Sequence, residues 1–78
     1  MPWLLYSRRG CHLCEAAEDI VIGLRPDATV VDVDRDPAAR RRFDLRVPVL
    51  EIDGTVAAEG RFDEATIARL AAGPSSDA

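Results

Sequence analysis

Apolar and polar residues alternate in blocks along the chain, and each block has the length of one secondary-structure element. An apolar run over residues 3–6 ends in a polar turn at residues 7–10, which predicts a buried first strand. The apolar positions that follow are Leu13, Ala17, Ile20, Val21 and Leu24. This helical period predicts a helix over about residues 11–24, with Pro26 just beyond its end.

The stretch after the first helix predicts a strand followed by another helix. Residues 28–34 are rich in β-branched side chains and lie between turn residues, which favours a second strand. Asp36 then fits a helix N-cap, with Pro37 at the first helical position and Phe43 near the end. A strand, a helix and a second strand over this length imply a right-handed crossover and two parallel strands.

The last third of the chain predicts a β-hairpin and a third helix. Residues 47–52 form an apolar run, and the Asp-Gly pair after them signals a tight turn into a short strand at residues 55–58. Asp63 fits the cap of a helix over residues 64–72. The predicted order is therefore β-α-β-α-β-β-α, an α/β fold with a four-stranded mixed sheet flanked by three helices.

Length and composition narrow the class of protein. The chain of 78 residues has room for one domain, residues 1–73, and we expect residues 74–78 to form a flexible tail. Apolar residues make up 47% of the chain without any run long enough to span a membrane. The net charge of −4 argues against binding to nucleic acid. The first residues lack the pattern of a signal peptide, so we expect a cytoplasmic location. We also expect the protein to be a monomer.

Both cysteines of the chain lie in one motif, Cys11-His12-Leu13-Cys14. A disulfide that closes so short a loop stabilises a fold by only about 2 kcal/mol, so chemistry explains the pair better than stability. Cys11 lies where the first strand passes into the first helix, and the positive helix end there favours the reactive thiolate. We therefore assign Cys11 as the nucleophile and Cys14, one turn further on and more buried, as the resolving thiol.

Other uses of the cysteine pair stay open at this point. A copper or zinc carrier can also use a C-x-x-C motif, although a zinc or iron–sulfur site needs four ligands. The chain offers the two cysteines and His12, so a metal site would need a second subunit or an external thiol. An interaction domain whose redox site has no present role is a third hypothesis. His12 itself fits either an electrostatic partner of the thiolate or a residue that simply faces solvent.

Pro48 at the start of the third predicted strand has two interpretations. An ordinary trans proline is tolerated where a strand begins, because no ladder hydrogen bond is needed from that residue. A cis Val47–Pro48 bond would instead direct the backbone of Val47 towards a bound, extended thiol substrate.

Several of these features together resemble a glutaredoxin of the thioredoxin fold. They are the order of elements, the C-x-x-C after the first strand, Val47-Pro48, the Asp-Gly hairpin and the Gly60-x-x-Asp63 entry to the last helix. The resemblance covers residues 3–72 and is greatest for short glutaredoxin-like proteins that carry Cys-His-Leu-Cys. It implies a thiol–disulfide oxidoreductase without a bound cofactor, with glutathione as a possible cosubstrate.

The resemblance also implies roles for individual residues. Cys11 matches the nucleophile and Cys14 the resolving thiol, whereas Pro48 matches a cis-proline. Val47 matches the residue whose backbone pairs with the cysteinyl part of glutathione. The implied partner is a disulfide-containing protein or a glutathione mixed disulfide.

The residues that would recognise the rest of glutathione are only partly those of the family. Arg8 matches a basic residue that meets a glutathione carboxylate, and Asp63 matches an acid near the γ-glutamyl end. Gly60 matches one residue of a Gly-Gly pair, but Glu59 replaces the other and Arg46 replaces a threonine. Glutathione and a thioredoxin reductase therefore both stay open as the source of electrons.

Overall fold

The computed structural model describes residues 2–73, so the tail expected at residues 74–78 lies outside the described residues. The elements are β1 (Trp3–Ser7), α1 (His12–Leu24), β2 (Thr29–Asp32), a 3-10 turn (Val33–Arg35), α2 (Pro37–Phe43), β3 (Val49–Ile52), β4 (Thr55–Glu59) and α3 (Glu64–Ala71). The strand order across the sheet is β2-β1-β3-β4. β1 runs parallel to β2 and antiparallel to β3, and β3 runs antiparallel to β4. The predicted α/β thioredoxin-like fold is confirmed.

Local side chains move some boundaries away from those predicted. β2 ends at Asp32, because the Asp32 carboxylate accepts a hydrogen bond from the Asp34 N–H at 3.0 Å and starts the 3-10 turn. β3 begins at Val49 rather than at residue 47, and Pro48 before it has no N–H for the ladder. α3 ends at Ala71, one residue earlier than predicted. None of the helices within residues 2–73 has the length and apolar character needed to cross a lipid bilayer.

The core lies on both faces of the sheet, because successive residues of a strand point to opposite sides. Leu5 and Leu50 face α1 and α3, where they pack with Val21 and Ile67. The buried residues on the opposite face, where α2 packs, are Tyr6, Val33, Ala39, Phe43 and Val49. Burying a leucine side chain stabilises a fold by roughly 1.5–3 kcal/mol, and both leucines are fully buried. The carboxyl end of β1 is therefore held between helices on both sides.

One buried carboxylate joins the sheet to α2. Glu51 on β3 is only 5% exposed and accepts hydrogen bonds from the Tyr6 hydroxyl at 3.0 Å and from Arg42 at 2.7 Å. The hydrogen bond from Arg42 holds the pKa of Glu51 below its usual value, although burial acts in the opposite direction. Burial and this carboxylate raise the pKa of Tyr6. The network satisfies the polar groups that the sheet would otherwise bury unpaired.

Candidate active site

Cys11 caps the N-terminus of α1 with its sulfur. Its backbone is extended, and its Sγ accepts a hydrogen bond from the Cys14 N–H at 3.2 Å. Gly10 before it has a φ of 74°, a conformation that favours glycine and that turns the chain from β1 into the helix. Cys11 is half-buried, so its sulfur can meet a substrate. The unpaired N–H groups of a helix N-terminus stabilise a negative charge on such a sulfur.

Cys14 has the opposite environment. It is fully buried in the first turn of α1, and its thiol is free. Burial, and then a hydrogen bond with the Cys11 side chain, raise its pKa to about 11, while the Arg8 backbone and the Ser7 hydroxyl act against this rise. Cys14 is therefore protonated at neutral pH and needs a proton acceptor before it can attack a disulfide.

Pro48 lies beside the strand that leads to the thiols. The Val47–Pro48 peptide bond is cis, and the Pro48 carbonyl accepts a hydrogen bond from the Gly60 N–H at 2.9 Å. Tyr6 pairs with Val49 in the β1–β3 register, so Pro48 follows opposite the last residue of β1. None of the loop and turn hydrogen bonds between backbone groups of residues 2–73 uses the N–H or C=O of Val47. The backbone of Val47 is thus open to an extended partner chain.

Arg8 is engaged by two carboxylates of the chain itself. Its guanidinium donates to the Asp34 carboxylate at 2.9 Å and 3.0 Å, to the Asp44 carbonyl at 3.0 Å, and to the Asp44 carboxylate. This pairing holds the pKa of Asp34 below its usual value. Arg8 therefore joins the turn that precedes Cys11 to the 3-10 turn and to the end of α2. A glutathione carboxylate would have to compete with two acids that are already in place.

Asp63 also has a partner within the chain, because it is the N-cap of α3. Its carboxylate accepts hydrogen bonds from the Thr66 N–H at 3.3 Å and from the Thr66 hydroxyl at 3.0 Å. The cap satisfies one of the free N–H groups at the start of the helix.

Arg46 and Glu59, which the sequence presents as two separate departures from the family, form one ion pair. Arg46 donates to the two oxygens of Glu59 at 2.5 Å and 3.2 Å, and this contact lowers the pKa of Glu59. Glu59 pairs with Val49 in the sheet, and the next residue, Gly60, bonds to Pro48. The ion pair therefore lies beside the cis-proline.

His12 faces away from the protein. Its side chain is fully exposed, and its Nδ1 lies 3.9 Å from the Glu15 carboxylate. This position favours the solvent-facing interpretation. Within residues 2–73, no group of three or more His, Cys, Asp or Glu side chains is arranged to hold a metal ion.

The structure adds two residues that the sequence analysis did not place in the site. Ser7, predicted to lie in a turn, is instead the last residue of β1 and is only 2% exposed. Its hydroxyl donates to the Glu18 carboxylate of α1 at 2.6 Å. Both residues line a cavity of about 390 Å³ beside the turn at residues 8–10, which precedes Cys11. The available signals were a serine directly after an apolar strand and a glutamate one helical turn beyond Cys14.

The strand order and the C-x-x-C at the start of the first helix define an α/β protein of the thioredoxin fold. The model of the Glutaredoxin-like domain (DUF836) matches residues 3–71, and the chain belongs to this family. It is also similar to the X-ray structure of a structural-genomics target protein from X. campestris. That chain is 35% identical, with a TM-score of 0.75 over 92% of this chain and 99% of the other. No curated protein matches the sequence. Family and fold support a redox-type role.

Proposed function

We propose that the protein is a dithiol thiol–disulfide oxidoreductase in which Cys11 attacks and Cys14 resolves. The observation that carries this proposal is the hydrogen bond of 3.2 Å from the Cys14 N–H to the sulfur of Cys11, a residue that is only half-buried. It favours a thiolate where a substrate can reach it, while the second thiol is kept buried one helical turn away.

The reaction needs no bound cofactor. The Cys11 thiolate attacks one sulfur of a substrate disulfide and releases the other sulfur as a thiolate, which leaves a mixed disulfide. Cys14 then attacks the Cys11 sulfur and releases the second substrate thiolate. The dithiol is oxidised by two electrons and the substrate is reduced by two. Both released thiolates take protons from solvent, and an external reductant restores the dithiol.

The substrate we propose is a protein disulfide or a glutathione mixed disulfide, whose extended backbone pairs with Val47 beside Pro48. Of the two reductants, the contacts favour a thioredoxin reductase over glutathione. Arg8 and Asp63, which would receive the charged ends of glutathione, already have partners inside the chain. The side chains of the Arg46–Glu59 ion pair would also obstruct the approach of glutathione beside Pro48.

Substitution of each cysteine tests the mechanism. Cys11→Ser should abolish disulfide reduction, because no other free thiol within residues 2–73 is exposed. Cys14→Ser should still attack and should accumulate as a mixed disulfide, visible as an added substrate mass that dithiothreitol removes. Full reduction of the substrate by the Cys11→Ser variant would contradict the proposal.

The reductant can be identified by a coupled assay of NADPH oxidation with a mixed-disulfide substrate. One arm supplies glutathione with glutathione reductase, and the other supplies thioredoxin reductase. We expect turnover in the second arm. Turnover only in the first arm would mean that glutathione displaces the internal partners of Arg8, and the proposed choice of reductant would be wrong.

A further inference from the structure

Leu45 is the large apolar side chain most exposed to solvent in the part of the chain that the structure describes. It is 92% exposed, whereas the other exposed large apolar side chains of residues 2–73 are 36–42% exposed. A single exposed leucine is common on a protein surface and by itself indicates nothing. The position of Leu45 distinguishes it, because it lies in the turn between α2 and Pro48.

This turn is held in place on both sides of Leu45. Before it, Asp44 receives the Arg8 guanidinium on its backbone carbonyl at 3.0 Å and also on its carboxylate. After it, the Arg46 N–H donates to a carbonyl at the end of α2 at 2.9 Å, and the Arg46 guanidinium pairs with Glu59. Within residues 2–73, Leu45 itself makes no hydrogen bond and belongs to neither core cluster. The fixed backbone therefore directs this side chain into solvent.

The same turn lies beside the candidate site. Arg8, which holds Asp44, is three residues before Cys11. Val47, whose backbone is open to a partner chain, is two residues after Leu45. An extended substrate that pairs with Val47 and brings a sulfur to Cys11 would therefore pass close to this turn.

Leu45 is the group of this turn that is left for a contact with the substrate. The charges of its two neighbours, Asp44 and Arg46, are already paired within the chain. We propose that Leu45 is a specificity-determining residue that packs against an apolar side chain next to the reactive disulfide of a protein substrate. This inference rests on the proposed dithiol function and narrows its substrates to protein disulfides, because glutathione has no large apolar side chain.

The expected strength of this contact follows from the burial of apolar surface. A bound substrate that encloses about half of the Leu45 side chain should raise catalytic efficiency on the order of tenfold. Little conformational freedom is lost in the encounter, because the turn is already held in the free protein. The contact lies away from the reacting sulfurs and is the same before and during the reaction, so it should lower KM and leave kcat unchanged.

The test compares two short peptides that differ only beside their single cysteine. One peptide has leucine on both sides of the cysteine, and the other has serine. Each is joined to a second copy of itself by a disulfide and carries a dye that is quenched in this dimer. Dithiothreitol supplies the two electrons, so the assay does not depend on the natural reductant. We expect kcat/KM of the unmodified protein to be about tenfold higher for the leucine peptide.

Substitution of Leu45 should remove this preference. Leu45→Ser should lower kcat/KM for the leucine peptide about tenfold, through a higher KM, with kcat within about twofold. The same variant should reduce the serine peptide and the small compound hydroxyethyl disulfide within about twofold of the unmodified rate. Leu45→Met, which keeps a large apolar side chain, should retain most of the preference. The matched control is Val56→Thr, which removes another exposed apolar group, on β4, and should change none of these values.

The outcomes separate this inference from the proposed function. Equal efficiencies of the unmodified protein for the two peptides, or an unchanged preference in Leu45→Ser, would overturn the role of Leu45 and leave the dithiol function in place. A fall in kcat for every substrate, or a lower midpoint of urea unfolding, would overturn it as well, because either would indicate a structural role. If the unmodified protein reduced hydroxyethyl disulfide no faster than dithiothreitol alone, the dithiol function itself would be wrong, and this inference with it.

Discussion

The thiols of Cys11 and Cys14 should react with iodoacetamide at very different rates, because only the thiolate form is alkylated. The pKa of Cys14 is raised from the ordinary 9.0 to about 11. At pH 7 this leaves on the order of one Cys14 in ten thousand as thiolate, about a hundredfold less than for an ordinary thiol. Full burial restricts the reagent further. We therefore expect Cys14 to be labelled at least about a hundredfold more slowly than an ordinary exposed thiol, so that Cys11 is labelled first.

The rates can be measured one thiol at a time, for Cys11 in the Cys14→Ser variant and for Cys14 in the Cys11→Ser variant. Loss of the Cys11 sulfur leaves in place the largest cause that raises the pKa of Cys14, which is its burial, so Cys14 should stay unreactive. In the unmodified reduced protein, trypsin cuts after Arg9 and Arg35 but not before Pro26, so both cysteines lie on one peptide and fragment ions between them must assign the label.

Unfolding supplies the control for this experiment. In guanidinium chloride both thiols become solvated, and their labelling rates should converge. Raising the pH should accelerate the labelling of Cys14 up to a higher pH than an ordinary thiol requires. Comparable rates for the two thiols in the folded protein, or earlier labelling of Cys14, would refute the reasoning that burial protects it.

Two further predictions concern stability. Because the Arg42 hydrogen bond lowers the pKa of Glu51 from its ordinary 4.5, this carboxylate stabilises the fold above that pH, and its contribution is lost as the pH falls through the lower folded-state value. Glu51→Gln should therefore flatten the acid side of the pH dependence of urea unfolding, and an unaltered dependence would contradict the account. Asp63→Ala should lower the free energy of unfolding by about 0.5–2 kcal/mol through loss of the α3 cap. Asp63→Asn should keep most of it, and equal losses in the two variants would argue against the cap.

The parts of the fold that the sequence predicts well are those with strong local signals. The apolar period of α1 and the capping residues Asp36 and Asp63 identify the helices, because these signals lie within a few residues of each other. The end of β2 differs from the prediction for a local reason too. The Asp32 side chain accepts a hydrogen bond from the Asp34 N–H, which competes with continuation of the strand. β-propensity alone does not reveal this hydrogen bond.

The candidate site likewise has a part that local sequence signals predict and a part that they do not. The C-x-x-C pair is contiguous, so its place at a strand-to-helix junction could be predicted from the sequence. The contacts that surround it join residues far apart in the sequence. Ser7 donates to Glu18 on the next element, and Arg46, in the turn before β3, pairs with Glu59 at the end of β4. Such pairs depend on how the elements pack, and a single sequence does not specify which charged residues will meet.

The spacing of the two cysteines accounts for their opposite environments. Cys11 is the N-cap and lies outside the helix itself, where the chain turns and the residue is only half-buried. Three residues later the helix has turned Cys14 onto the buried stripe that continues with Ala17 and Val21. Glu18 lies one turn beyond Cys14 at the border of that stripe, where it is half-buried and faces both Ser7 and the cavity. A second thiol one position earlier or later in the motif would lie on the exposed side of the helix. The spacing therefore determines which sulfur is accessible to a substrate and which is buried.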